Sequence, residues 1–439
     1  MGYVFLLTLY FIAFAGLAWK KINWAIYLIV FALPGYLIRF NLGPVPMTVL
    51  EGMILILFII FLLRLRRDGI LDFWKKIRGL KLFHCFIVSL LTFLLAATVA
   101  VLVGPDLRAA LGIWKAYFVE PILFFGVFVA VIKKEELKNI FWALAGSSLT
   151  VSTVAIYQKL TGNWIANEFW AAEATRRVSG IFPYPNALAL YLGPIIILLI
   201  GFLVGQEKEK SKLLNYYSVK LLGWGIVALS LLSVWWSGSK GAMIGVVAGL
   251  IFYAIFYRGY RKYFVPLVAV IFLVGIILLQ SGRINLKGNY SVEGGDSLTV
   301  RQEMWMESWQ MLKTKPIFGA GLAGYQEAME PFHQKSYIEI YLYPHNIVLN
   351  FWSELGILGL LAFILVIVWF YKRVFFRLDK DLGFAIYDLR ILLAATMAVI
   401  IVHGLVDVPY FKNDLSVFFW LLVGMMAVDN IRQKNKQQV

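Results

Sequence analysis

Apolar stretches of about 17 to 23 residues recur along most of this chain, each long enough to cross roughly 30 Å of hydrocarbon as a helix. A backbone in lipid must satisfy its own hydrogen bonds, so repeated runs of this length predict a helical bundle. Composition agrees. Of 439 residues 61% are apolar and 15% charged, against roughly 25% charged in soluble domains. The expected fold is an all-α polytopic membrane protein with about 12–13 transmembrane helices and a large helical outer loop. Spans are expected near 3–19, 22–38, 47–63, 83–104, 110–132, 139–158, 186–204, 219–236, 241–257, 264–280, 355–371, 386–406 and 415–430. Ala13, Phe14 and Ala15 in the first mimic a signal-peptide cleavage site. No basic segment precedes them and Lys20 and Lys21 follow, so an uncleaved span is expected. Three units result: an N-terminal bundle over 1–280 with an outer loop at 159–185, a large outer loop with an interfacial helix over 281–354, and C-terminal spans and tail over 355–439.

The formal charge of +16 does not signal nucleic-acid binding, because the basic residues concentrate in alternate loops. They include Arg64 to Lys81, Lys133 to Lys138, Lys208 to Lys220, Arg258 to Lys262, Lys372 to Lys380 and Arg432 to Lys436. That asymmetry predicts these loops and the C-terminus on the cytoplasmic side and the two long loops outside. Cys85 is the single cysteine, so no intramolecular disulfide staples the outer loops, and no Cys/His metal spacing occurs.

The large loop is rich in aromatics, and its charges nearly balance. Thr299 and Gln302 fit a capping box, and Trp305, Trp309 and Leu312 repeat at helical spacing until Pro316. The G-x-G-x-x-G at 319–324 lacks the strand and helix of a dinucleotide site and reads as a tight turn. In "PHNIVLNFWSELGILGL", Pro344 is placed to open a helix, with Asn346, Asn350 and Ser353 or Glu354 on one face, as in an interfacial helix. His345 stands at its start; a histidine there is more often structural than catalytic. Arg176 and Arg177 precede a Gly/Pro turn, with Asn186 opening the next span. An arginine at that depth can also simply snorkel to lipid headgroups.

Four segments together resemble the O-antigen ligase/polymerase family of integral-membrane glycosyltransferases. They are "RVSGIFPYPNALA" (177–189), "SGSKGAMIG" (237–245), "RQEMWMESWQMLKTKPIFGAGLAGY" (301–325) and "PHNIVLNFWSELGILGL" (344–360). The resemblance implies transfer of a glycan from undecaprenyl diphosphate at the outer face of a bacterial cytoplasmic membrane. The acceptor is lipid A core in ligases, the glycan itself in polymerases, and protein in related members. It implies that Arg177 and Arg301 are the family's loop arginines and His345 its loop histidine. Lys240 stands where many members are expected to have arginine, keeping charge but losing a bidentate fork.

The chemistry fits this inventory. Breaking a sugar–phosphate bond places charge on the diphosphate, which paired arginine hydrogen bonds stabilise. An imidazole can deprotonate or orient the acceptor hydroxyl, and direct displacement inverts the anomeric carbon. With no carboxylate cluster at the site, metal independence and no cofactor are expected. Arg176, Lys240, Asn346, Lys115 and Trp305 are further candidates for contacting substrate. For Lys115 the alternative is a structural pair with Glu120, and for Trp305 it is packing within the loop helix. His403 and Asp407, at i, i+4 on a span, are either a functional pair or a buried tie between helices. The rival class, a lipid-linked glycan transporter, should show repeated halves and charges along a path; the chain has no internal repeat and few mid-span charges.

Overall fold

The computed structural model describes residues 2–68, 83–205, 213–256, 266, 297–334, 339–375 and 384–431. The span expected at 264–280, several of the basic loop residues, and residues 281–296 and 335–338 of the large loop lie outside the described residues.

The fold is all-α and polytopic. Seven described helices are long and apolar enough to cross a membrane, and four shorter apolar helices accompany them. In chain order the first half runs α1 (Gly2–Lys20), α2 (Ile22–Phe31), a hairpin of β1 (Arg39–Leu42) and β2 (Val45–Thr48), α3 (Val49–Asp68), α4 (Phe83–Val103), α5 (Leu107–Ile113), α6 (Glu120–Val131), α7 (Leu137–Thr161) and the short α8 (Glu168–Ala171). The second half runs α9 (Pro185–Gly205), α10 (Leu213–Ser237), α11 (Lys240–Phe256), α12 (Ser297–Thr314), the short α13 (Tyr325–Met329), α14 (Ile347–Phe375), α15 (Phe384–Gly404) and α16 (Asn413–Ile431). This up-and-down order delivers residues 162–184, 238–239, 315–334, 339–346 and 405–412 to one end of the bundle, and Lys133, Lys134, Lys372 and Arg373 to the other.

Local chemistry explains the departures from the expected spans. The second span is shorter than 22–38: Pro34 and Gly35 draw the chain into a 3-10 turn after α2, and the hairpin follows, with Arg39 opposite Thr48. Between α5 and α6 the helix widens into a π segment, Trp114–Val119, ahead of Pro121. Proline has no N–H to give the carbonyl of Tyr117, and that oxygen instead accepts from the Tyr410 hydroxyl at 2.8 Å. The helix expected to open at Pro344 begins at Ile347, where Asn346 supplies the cap through Oδ1 to the amides of Val348 and Leu349. The loop helix α12 already includes Ser297, so Thr299 sits inside it rather than capping it.

The glycine-rich turn at 319–324 is a landing point for the large loop. Leu322 N–H donates to Ala100 O at 3.0 Å, and Ala320 N–H to Ser353 O at 2.7 Å. The chain thus crosses between the ends of α4 and the first turns of α14. A Cβ on Gly321 would lie 2.4 Å from the Gly104 nitrogen. Glu354, buried on α14, closes the join by accepting from Ala323 N–H at 3.1 Å. Two residues on, Gly356 breaks α14 at φ 71°, ψ −179°, a region essentially restricted to glycine. There Ile357 N–H reaches Ile317 O at 3.0 Å, and a Cβ on Gly356 would sit 2.2 Å from that oxygen. Gly356→Ala is expected to cost about 1–3 kcal/mol from backbone conformation alone, before the collision. Thermal melts of the purified protein check this against Gly16→Ala, a position with nothing within 4 Å of the added carbon. Equal midpoints for the two would remove the glycine requirement.

Beneath this end the core is aromatic. Phe351 stacks on Phe363 with centroids 4.0 Å apart and meets Phe411 at 4.9 Å and Tyr410 at 5.1 Å. Phe93 and Phe118 extend the cluster toward Trp420. This rigid packing fixes the 405–412 turn against α14.

Candidate active site

The segment around Arg177 is fastened by one buried glutamine. Gln158, near the end of α7, donates through Nε2 to Trp164 O at 2.9 Å and Gly180 O at 2.8 Å, while its Oε1 accepts from Ser179 and Gly180 amides at 2.9 and 2.7 Å. With all its groups paired, Gln158 fixes the turn. Val178 N–H donates to Trp236 O at 3.1 Å, strapping the segment to the end of α10. Arg177 is thereby aimed: Nε donates to Ser237 O at 2.7 Å and Nη2 to Asn186 Oδ1 at 3.2 Å.

Asn186, in the first turn of α9, passes the connection on. Its Nδ2 lies 3.5 Å from Asp407 Oδ2. Asp407 Oδ1 accepts from Val408 N–H at 2.9 Å and faces His345 Nδ1 at 3.2 Å. Arg177, Asn186, Asp407 and His345 therefore form one continuous polar chain across four separate parts of the sequence. Arg301, on α12, joins it through charge, which acts on both Asp407 and His403.

His345 is held on three sides. Trp305 Nε1 donates to Pro344 O at 2.9 Å, Asn346 Nδ2 donates to Leu405 O at 3.0 Å, and the Tyr341 ring stands edge-on with centroids 5.4 Å apart. The residue takes φ 48°, the left-handed region that non-glycine residues enter at a cost. Its side chain keeps 24% of its surface open while Asp407 keeps 4%, so the imidazole is the exposed member of the pair.

Asp407 occupies the turn after α15, where burial by itself raises a carboxyl. The His345 hydrogen bond and the charges of His345, His403 and Arg301 outweigh burial and hold it well below the usual carboxylate range. The sign follows from linkage. A carboxylate depressed in the folded state contributes stability above its unfolded pKa, and that contribution is lost as pH falls toward the folded value. Asp407 thus stays ionised around neutral pH.

The other expected contacts fall elsewhere. Arg176 donates to Lys159 O at 3.0 Å and Ala171 O at 3.2 Å, closing the C-terminus of α7 away from the polar chain. Lys115 pairs with Glu51 at 3.1 Å and with Pro46 O, so its partner is on α3 rather than Glu120, and it ties the hairpin to the bundle. Lys240 opens α11 and is exposed; its motif reaches Arg177 through the Ser237 carbonyl. Asn346 and Trp305 act on the backbone either side of His345. His403 and Asp407 do not share a helical turn, because α15 stops at Gly404 and Asp407 turns toward His345; His403 acts on Asp407 through charge. His403 instead packs on the glycine face of α11, where a Cβ on Gly241 would meet its ring at 3.0 Å. Among the described residues no three His, Cys, Asp or Glu side chains gather as a metal ion would need.

Residues 225–364 match the family model described as O-antigen ligase. The match contains Arg301 and His345 and stops short of Arg177 and Asp407, which the fold brings to them. The chain is also similar to an uncharacterized protein of Haemophilus influenzae, 26% identical over 251 residues. That alignment covers 53% of this chain and 58% of the relative, so the chain spans little more than half of the relative's length. Residues 225–364, about a third of the chain, are thus the part that is similar to the O-antigen ligase family.

Proposed function

We propose that this protein is a membrane glycosyltransferase of the O-antigen ligase type. It transfers a glycan from undecaprenyl diphosphate to an acceptor hydroxyl at the outer face of the cytoplasmic membrane, with inversion and without a metal ion. The observation that carries this reading is the chain from Arg177 through Asn186 and Asp407 to His345, with the charge of Arg301 acting on it.

An ionised carboxylate can only accept, so the proton between Asp407 and His345 resides on His345 Nδ1. Nε2 then carries the lone pair, on a side chain that is part open to solvent. The acceptor hydroxyl gives its proton to Nε2 as its oxygen bonds to the anomeric carbon. The bond from that carbon to the phosphate oxygen breaks, and the electron pair leaves with undecaprenyl diphosphate. Arg301 and Arg177 stabilise the charge gathering there, and Asp407 stabilises the imidazolium. Lipid A core, a growing glycan or a protein hydroxyl all meet this requirement; the acceptor decides between ligase, polymerase and protein glycosylation.

The test is transfer from purified undecaprenyl-diphosphate glycan in nanodiscs with EDTA, offering each acceptor in turn. Wild type should transfer to one acceptor in EDTA, and His345→Ala should not. A competent donor left untouched with every acceptor, or a fully active His345→Ala, would overturn the reading in favour of transport.

A further inference from the structure

Just past the Asp407 turn, three consecutive residues carry buried polar atoms without a hydrogen-bond partner. They are Lys412 Nζ, both polar atoms of the Asn413 amide, and Asp414 Oδ1. The Tyr36 hydroxyl shares this condition. A buried polar group left unpaired keeps the full cost of its lost hydration, so such a run beside a candidate active site calls for an occupant.

Lys412 is the charged member. Its ammonium is shut off from solvent and lies 4.0 Å from the centroid of the Tyr184 ring. A cation held on an aromatic face gains a modest attraction to the ring quadrupole. Charge-assisted hydrogen bonds to an anion exceed that, so the ammonium can leave the ring when one arrives. Its position ties it to the polar chain: Tyr184 precedes Pro185 and Asn186, and Lys412 shares its turn with Asp407. Burial lowers Lys412 to about 8, while Asp414 and Asp407 act at a distance to keep it charged.

We propose that Lys412 is a third cation of the donor's diphosphate site. When the donor binds, its ammonium leaves the face of Tyr184 and donates to the diphosphate oxygens, beside Arg177 and Arg301. The inference rests on the glycan-transfer reading. Its oxygen-rich, multiply charged ligand supplies the acceptors that Lys412 Nζ and Asn413 Nδ2 lack. The sequence offered no signal for it, because a lysine ending a short turn reads as a solvated or snorkelling charge.

The test separates binding from turnover by using inorganic pyrophosphate as the probe. Lys412→Met should weaken pyrophosphate binding to the purified protein by about 10- to 100-fold, and Lys412→Arg should keep most of it. A second measurement guards against a Lys412→Met protein that does not fold. Between pH 7 and 9.5, wild type should lose affinity relative to Lys412→Arg, since the ammonium titrates near 8 and a guanidinium does not. Asp407, Asp414 and Tyr184, which face Lys412, are common to both proteins. Wild-type binding matched by Lys412→Met, or pH profiles that superimpose, would overturn the assignment while leaving transfer standing. Wild type that binds pyrophosphate with Lys412 dependence but transfers no glycan would sink the transfer reading alone.

Discussion

Asp407→Asn is expected to lower glycan transfer by about 10³- to 10⁴-fold while leaving the bundle assembled. Removing the acid from a histidine–carboxylate pair has an effect of that size in enzymes where the carboxylate sets the tautomer. The substituted amide keeps the shape of the carboxylate, but Oδ1 serves both Val408 N–H and His345 Nδ1. An amide that turns its NH₂ to His345 Nδ1 gives up the Val408 bond, moves the imidazole proton to Nε2 and removes the base. The effect should fall on kcat, with donor KM little changed. His345→Gln combined with Asp407→Asn should be no worse than His345→Gln alone, because residues acting as a unit are not additive. An Asp407→Asn enzyme of normal rate would reduce the pair to a structural tie between α14 and the turn after α15.

Arg301→Ala is expected to cost about 10²- to 10³-fold in rate. The guanidinium stands on α12 of the large loop, and its charge already reaches Asp407 in the 405–412 turn. Arg301→Lys should recover only part of the loss, because an ammonium cannot present the paired donors of a guanidinium. Steady-state kinetics on the purified donor distinguish two cases. A fall in kcat marks a role on the departing diphosphate, and a rise in KM alone marks ground-state binding. Full activity in Arg301→Ala would leave the leaving group's charge to Arg177 and Lys412.

Much of the bundle was legible because lipid imposes one rule on every span. A run of apolar residues as long as the hydrocarbon is thick has few alternatives to a helix. What escaped were places where a single atom decides. The π segment before Pro121 follows from one missing N–H and one tyrosine from 293 residues later in the chain. The start of α14 moved from Pro344 to Ile347 because Asn346 uses its side chain as a cap. Of the site, Arg177, Arg301 and His345 were readable as candidates, but their connection was not. Asn186 looked like the polar opening of a span, and Asp407 looked like the partner of His403 one helical turn away. Only the end of α15 at Gly404 frees Asp407 to face His345. Lys115, by contrast, drew attention as a charge within a span, and it proves to be a strut between α3 and the hairpin.

The seating of the 319–324 turn also bears on how such a protein can be re-engineered. Its contacts with Gly104, Ala100 and Ser353, and those of the preceding Ile317 with Gly356 and Ile357, are made almost entirely by backbone, at distances that no side chain tolerates. A graft of the large loop from a relative, made to exchange one acceptor for another, must therefore carry both docking strips with it, the tip of α4 and the opening of α14 as far as Gly356. Transplanted without them, the loop has nowhere to anchor, and a chimera that inserts correctly would still present its histidine out of register.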